Sequence, residues 1–245
     1  MPVPTRMLYS PAMARRLLFL VLLLSGPCAF GQKATTTDTI EARFWSGKPT
    51  LDARPDKPLW RKARPVIFQH DVNGDPLVNH LTVVRAAWTA DELWLLYACS
   101  YDTLTIGPDP QTSKETNRLW EVSDVAEVFI APNPGDILRY KEFQVSPAGQ
   151  WVDLEIDREA KKYDATWNSG FRSATRIDSA RRVWWAEMAI PLRAFGPQPP
   201  TPGARWRLNF FRLEQGPPKR SIVWQPTHQP SFHVPQAFGW LAFKK

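Results

Sequence analysis

The sequence predicts an all-β fold, a single two-layer antiparallel β-sandwich of the jelly-roll or immunoglobulin-like kind. Three observations lead to this prediction. Short apolar runs recur along the chain, turn residues separate them, and helical periodicity is nearly absent. The 24 prolines fall mostly between the runs, where they do not remove hydrogen bonds from a strand. A chain of 245 residues is a usual length for one such domain after removal of a leader.

The predicted strands form hairpins, because short groups of turn residues separate neighbouring apolar runs. One hairpin loop spans residues 89–92, and another spans residues 146–150, which include a proline and a glycine. The long polar stretch 102–119 has no periodicity, and loops of this length are often functional. One helical turn is predicted at 191–195. The predicted strands are residues 81–88, 93–99, 140–145, 151–156, 183–190, 206–213 and 221–224.

The beginning of the chain has the pattern of a signal peptide over residues 1–31. Arg15 and Arg16 precede a run of 8 apolar residues, and small residues follow near position 31. A bilayer-spanning helix needs about 20 apolar residues, so this run does not predict a transmembrane anchor. We therefore expect an exported protein, periplasmic or extracellular. A flexible N-terminal segment is predicted over residues 32–44, and the β-sandwich domain over residues 45–245.

Charge and cysteine content exclude several classes of protein. Removal of residues 1–31 takes away three arginines and no acids, which lowers the net charge from +7 to +4. The basic residues do not cluster as a nucleic-acid surface requires, so no nucleic-acid partner is expected. Cys99 is the one cysteine left, and it is predicted to be a buried, inert thiol. The chain lacks the motifs of P-loop, dinucleotide-binding and serine-nucleophile enzymes.

Residues 120–132 carry the clearest indication of function. Trp120 precedes Asp124 and Glu127, and an apolar run that reads as a buried strand follows at 128–130. An aromatic face can pack against the C–H groups of a sugar, while carboxylates accept hydrogen bonds from its hydroxyls. The same pattern also occurs as ordinary packing at a sheet edge, because tryptophan is commonly half-buried.

Residues 120–132 resemble the core motif of the family 9 carbohydrate-binding modules, and other segments follow in the family's order. The resemblance covers roughly residues 45 to 244 and implies a β-sandwich that binds the ends of sugar chains without hydrolysing them. Such modules usually accompany a glycoside hydrolase, which implies a partner enzyme and a role in polysaccharide breakdown. The other matching segments are residues 50–63, 85–97, 185–191, 206–210 and 238–241.

The resemblance also implies an aromatic clamp. In the family two aromatic residues enclose the terminal sugar, one before the acidic strand and one in the loop before the last strand. Trp120 matches the first, and Phe232 corresponds best to the second, where the family has tryptophan. We expect Phe232 to be partly exposed and to face Trp120 across a shallow groove.

Four polar residues are implied as contacts for the sugar hydroxyls. Glu127 matches the family's acidic contact. Gln144 stands where the family has arginine, and Ser146 and Gln229 stand where it has asparagine. These departures leave open which sugar is bound and whether the sugar site has been kept.

The resemblance implies one metal site, a structural calcium. Asp52, Asp56 and Asp102 lie near family positions that hold this ion. Calcium requires 6–8 oxygen ligands, several of which are often backbone carbonyls that a sequence does not reveal. The four histidines are scattered without the spacing of a zinc site, and no cofactor is required for the predicted function.

Two other functions remain open from the sequence. Asp153, Glu155 and Asp157 alternate with apolar residues and therefore share one face of a strand, about 6.5–7 Å apart. This spacing overlaps that of the carboxylates in inverting glycosidases, which makes a glycoside hydrolase the less favoured alternative. The other alternative is a structural or partner-binding envelope protein that has kept the fold and lost the sugar site.

Overall fold

The computed structural model describes residues 37–108 and 116–245. The fold is all-β, as predicted, and the seven strands predicted from the hairpin pattern are present with ends that differ by at most one residue. The strand predicted at 128–130 is also present, but it begins three residues earlier, at Val125. The short helices are α1 (Pro58–Lys62) and α2 (Leu119–Val122), with 3-10 turns at Leu192–Phe195 and Pro235–Ala237. The strands are β1 (Thr39–Phe44), β2 (Val66–Phe68), β3 (Thr82–Trp88), β4 (Glu92–Ser100), β5 (Val125–Ala131), β6 (Arg139–Val145), β7 (Trp151–Asp157), β8 (Lys162–Asp164), β9 (Arg172–Asp178), β10 (Val183–Pro191), β11 (Arg205–Glu214), β12 (Arg220–Val223) and β13 (Gly239–Lys244).

The strands form one mixed sheet rather than the predicted antiparallel pair of layers. Its hydrogen-bonded order is β8-β7-β6-β5-β11-β13-β1-β3-β4-β10-β9, with β12 beside β11 and β2 beside β3. The antiparallel prediction is wrong at β1, which runs parallel to both β13 and β3. Tight turns impose antiparallel pairing on β3–β4 and β6–β7, and the more distant pairs β4–β10 and β5–β11 are also antiparallel. No such turn joins β1 to either neighbour, so long-range contacts set its direction.

The predicted flexible segment over residues 32–44 is wrong from Thr39 onwards, because β1 lies inside the sheet. Ile40 and Ala42 are buried in the core, while Glu41 and Arg43 alternate with them towards solvent. This period of two is characteristic of a strand with one buried face. Residues 32–36 and the predicted signal peptide over 1–31 lie outside the described residues.

The sheet curls so that both of its halves contribute to one hydrophobic core. Val84, Leu95 and Met188 enter this core from β3, β4 and β10, and Val128 and Phe210 enter it from β5 and β11. Cys99 is buried here, as predicted, and burial raises the pKa of its thiol to about 12. The thiol therefore stays protonated and unreactive at neutral pH.

A second cluster of side chains lies on the opposite face of β5, β6, β7 and β11. Phe129, Tyr140, Leu154 and Phe211 form much of it, and Trp120 and Phe232 pack against it. This half of the sheet is consequently covered on both faces. Among the described residues, no helix has the length and apolar character needed to cross a membrane.

Candidate functional site

A cavity of about 530 Å³ opens over the second cluster, beside α2 and residues 230–233. Both aromatic residues of the predicted clamp line it, together with acidic and amide side chains from the sheet. The lining residues are Trp120, Glu127, Phe129, Glu142, Gln144, Leu154, Tyr163, Leu213, Ser221, Pro230, Phe232 and His233.

Strand register brings three polar side chains together on the floor of this cavity. Glu127 of β5 pairs directly with Gln144 of β6. Glu142 lies two residues before Gln144, so its side chain points to the same face of the sheet. Side chains directly opposite each other in an antiparallel pair have Cβ atoms about 4.5–5.5 Å apart. The three polar groups are therefore within hydrogen-bonding reach of one another.

Gln144 links the two acids. Its Nε2 donates to Oε1 of Glu127 at 2.9 Å and to Oε1 of Glu142 at 2.6 Å. All three residues are at most 3% exposed. Oε2 of Glu127 and Oε1 of Gln144 have no hydrogen-bond partner. A buried polar atom without a partner costs about 1–3 kcal/mol, so a ligand that donates to these two atoms would recover that energy.

Burial controls the charge of the acid pair. It raises the pKa of Glu127 well above its usual range, and the neighbouring Glu142 carboxyl raises it further. Burial likewise raises the pKa of Glu142 to about 7, although hydrogen bonds from Glu127 and Gln144 oppose the shift. The two carboxyls hydrogen-bond to each other and do not both ionise at neutral pH.

The aromatic residues form walls of the cavity. Phe232 is half-buried, and its ring stacks on Phe211 of β11 with the centres 4.3 Å apart and the planes 13° from parallel. Trp120 is also half-buried, and its backbone carbonyl accepts a hydrogen bond from Nε2 of Gln215. The backing by Phe211 leaves only one face of Phe232 for a ligand.

His233 and Tyr163 complete the rim. Nδ1 of His233 lies 2.7 Å from the hydroxyl of Tyr140, and its ring stacks on Phe129 at 4.9 Å. Burial lowers the pKa of His233 to about 4, so the imidazole is neutral at physiological pH. Tyr163, from the edge strand β8, meets the His233 ring edge-on at 5.2 Å.

The structure brings four of the six predicted contact residues into one cavity. Trp120, Glu127, Gln144 and Phe232 line it, whereas Ser146 and Gln229 do not. Glu142 and Tyr163 line it without having been predicted from the sequence. The alternation of Glu142 with Gln144 along β6 was the available signal, because it places two polar residues on one face of a strand.

Ser146 is fully buried in the turn that joins β6 to β7. Its Oγ lies 3.3 Å from Oε1 of Gln150 and accepts a hydrogen bond from the Gln150 backbone N–H. Ser146 therefore holds the turn. Gln229 is exposed beside the cavity, and its backbone carbonyl accepts a hydrogen bond from the Thr227 hydroxyl.

The three aspartates predicted to bind calcium do not form a metal site by themselves. Asp52 pairs with Lys57 at 2.9 Å, and Asp56 pairs with Arg54 at 3.1 Å. Asp102 lies 3.9 Å from His80. Within residues 37–108 and 116–245, no group of three or more His, Cys, Asp or Glu side chains could hold a metal ion. A structural calcium stays a prediction.

The row of acids on β7 faces away from the cavity, since Leu154 lines the cavity from the other face of this strand. Asp153 is buried and accepts hydrogen bonds from the backbone and hydroxyl of Ser169. Glu155 pairs with Lys141, and Asp157 pairs with Arg139. These contacts occupy the carboxylates that the glycosidase alternative requires.

The acid pair within the cavity also lacks the geometry of a glycosidase. Glu127 and Glu142 hydrogen-bond directly to each other. Glycosidases instead place a sugar between two carboxyls about 5–5.5 Å or more apart. The floor of the cavity is consequently suited to hydrogen bonding with a ligand rather than to cleavage of a glycosidic bond.

Several solved structures share this fold. One, from Bacteroides uniformis, is described as a candidate carbohydrate-binding protein. It has 17% identity and a TM-score of 0.68, and the match covers 84% of this chain and 99% of that one. A family 9 module from Caldicellulosiruptor kristjanssonii in complex with cellotriose has 16% identity and a TM-score of 0.61, covering 84% and 93%. Its complex with glucose has 15% identity and a TM-score of 0.60, covering 83% and 95%.

These matches establish the fold that the chain shares with those structures. Residues 51–245 match the family described as carbohydrate family 9 binding domain-like, and the chain belongs to that family. No curated protein gives a significant match.

Proposed function

We propose that this protein binds the end of a sugar chain in the cavity over β5 and β6. A sugar ring stacks against Trp120 and Phe232, and its hydroxyls donate hydrogen bonds to Glu127 and Gln144. The observation that carries the proposal is the pair of buried, unpartnered oxygens on Glu127 and Gln144 beneath two half-buried aromatic rings. A volume of about 530 Å³ lies within the range of about 300–1,000 Å³ of ligand pockets.

The binding is proposed to be non-catalytic. Direct contact between the two acids, and the ion pairs along β7, support a protein that holds its ligand without hydrolysing it. Export through a signal peptide over 1–31, action beside a glycoside hydrolase and a role in polysaccharide breakdown belong to the same proposal. No cofactor is part of this proposal.

Calorimetric titration with cello-oligosaccharides tests this proposal. Trp120→Ala should weaken binding by roughly 1–3 kcal/mol, which is the scale of a contact with an aromatic stacking platform. Phe44→Ala is the matched control, because Phe44 is 40% exposed and does not line this cavity. Its affinity should equal that of the unmodified protein, and both variants should unfold cooperatively.

Two results would contradict the proposal. Absence of binding to any member of a glycan array would favour the structural or partner-binding envelope protein. Equal affinity of Trp120→Ala and the unmodified protein would remove the aromatic wall from the ligand site. Release of reducing sugar by the purified protein would instead establish a hydrolase.

A further inference from the structure

Burial and the neighbouring Glu142 favour the protonated form of Glu127, and the hydrogen bond between the two carboxyls uses that proton. The atoms of the cavity floor that remain without a partner are hydrogen-bond acceptors. The two unpartnered atoms, Oε2 of Glu127 and Oε1 of Gln144, are both acceptors. The amide nitrogen of Gln144 is already used, because it donates to both acids. A group that reaches this floor must therefore donate hydrogen bonds. A protonated amine donates three, a hydroxyl donates one, and a carboxylate donates none.

The charged groups around the cavity also favour a cationic ligand. None of the described lining residues is lysine or arginine. His233 is neutral, since burial lowers its pKa to about 4. Arg158 stands at the rim, where it donates to the Tyr163 hydroxyl. The acids Glu127 and Glu142 are the only carboxyls among the lining residues that the structure describes.

Overall charge does not explain a preference for cations. The chain carries a formal net charge of +7, and it remains basic at +4 after removal of residues 1–31. Long-range electrostatics would therefore repel a positively charged sugar and attract a negative one. A preference in the opposite direction would have to arise within the cavity.

We propose that the floor of this cavity recognises a protonated amino group, so that the protein prefers an amino sugar to the corresponding neutral sugar and excludes a uronic acid. The inference rests on the proposed function, because it assumes that a sugar occupies this cavity. It adds the chemical class of that sugar. The amine donates to Glu127 and Gln144, and its positive charge compensates the negative charge that the acid pair carries when Glu142 is ionised.

Three trimers with the same β-1,4 linkage provide the test, made of glucose, glucosamine or N-acetylglucosamine. Hydrogen bonds with a charged partner are roughly twice as strong as neutral ones. We therefore expect the glucosamine trimer to bind at least about tenfold more tightly than the glucose trimer. The N-acetylated trimer has a larger but uncharged substituent, and it should show no such gain. A trimer of glucuronate should not bind measurably.

Proton release gives a second readout that is independent of affinity. At pH 6 Glu142 holds its proton in the free protein, since its pKa is about 7. Binding of an amine should ionise it and release about one proton per site, measured as a dependence of the calorimetric heat on the buffer. Binding of the glucose trimer should release none.

The variant Glu142→Gln separates charge from shape. It keeps an acceptor for the amide of Gln144 while removing the negative charge, so the glucosamine trimer should lose its advantage and its proton release. Within this variant the glucosamine trimer should bind no more tightly than the glucose trimer, and Glu121→Gln, on the exposed surface, is the matched control.

The possible outcomes distinguish this inference from the proposed function. If the glucose trimer binds and the glucosamine trimer binds equally or more weakly, the preference for an amine is wrong and sugar binding stands. If the advantage persists in a folded Glu142→Gln protein, recognition by the acid pair is wrong. If no trimer binds, both proposals fail.

Discussion

The acid pair predicts an unusual dependence of stability on pH. Glu142 has a pKa of about 7 in the folded protein, against 4.5 for an ordinary glutamate. Between these pH values the folded state holds a proton that the unfolded chain has released. Stability is therefore greatest below pH 4.5 and falls as the pH rises through the folded-state pKa. Each pH unit of this window corresponds to about 1.4 kcal/mol, so Glu142 should account for a loss of about 3 kcal/mol.

Denaturant unfolding at a series of pH values measures this loss. Glu142→Gln has no titrating group at this position, so the difference between its pH dependence and that of the unmodified protein reports the Glu142 carboxyl. Between pH 4.5 and 7 the unmodified protein should lose about 3 kcal/mol more than Glu142→Gln does. Tryptophan fluorescence reports the transition, and Glu121→Gln should follow the unmodified protein.

Parallel curves of unfolding free energy against pH for the unmodified protein and Glu142→Gln would refute this reasoning. They would show that the carboxyl titrates normally in the folded state, and hence that the floor of the cavity is hydrated. The argument for amine recognition would then lose the proton release that it predicts. If the free energy of unfolding fell more steeply with rising pH in Glu142→Gln than in the unmodified protein, ionisation of Glu142 would stabilise the folded state. That result would refute the reasoning equally.

Three further predictions follow from the packing. Phe232→Trp should strengthen sugar binding by calorimetry because it enlarges the stacking face, and weaker binding in a stably folded variant would contradict the clamp. Cys99 should be inert to a thiol reagent until the protein is unfolded, and rapid labelling of the native state would show that it is accessible. Gly239→Ala should destabilise the protein by about 1–3 kcal/mol, since a Cβ there would lie 2.6 Å from both the Trp224 ring and the backbone carbonyl oxygen of Asp38. Thermal unfolding unchanged from that of the unmodified protein would show that both neighbours shift at little cost.

Local sequence predicted the strands well because the signals that define them are local. Apolar runs and turn residues placed β3, β4, β6 and β7 to within one residue. The strand β1 escaped prediction because only Ile40 and Ala42 of its residues are buried. Its position depends on β13, almost two hundred residues further along the chain, and no local pattern encodes that contact.

The candidate site was predicted only in part for a similar reason. Glu127 and Gln144 matched positions in a known family, and the register of β5 and β6 then placed them opposite each other. The same register adds Glu142, which no family position indicated. Ser146 was assigned to the ligand by position, but the tight turn after β6 uses its hydroxyl internally. Matching residues to family positions one by one does not reveal which polar groups already form hydrogen bonds within the fold.

The parallel pairing of β1 has a consequence for the order in which this protein acquires its structure. Residues 39–43 hydrogen-bond beside residues 240–244, so the middle of the sheet joins segments about two hundred residues apart in the chain. Contacts between distant segments close large loops, and chains rich in them fold slowly. The hairpins β3–β4 and β6–β7 can form early, whereas the pairing of β1 with β13 closes a loop of about two hundred residues. Until β1 and β13 are both in place, the sheet has unpaired strand edges, which favour aggregation of the partly folded chain.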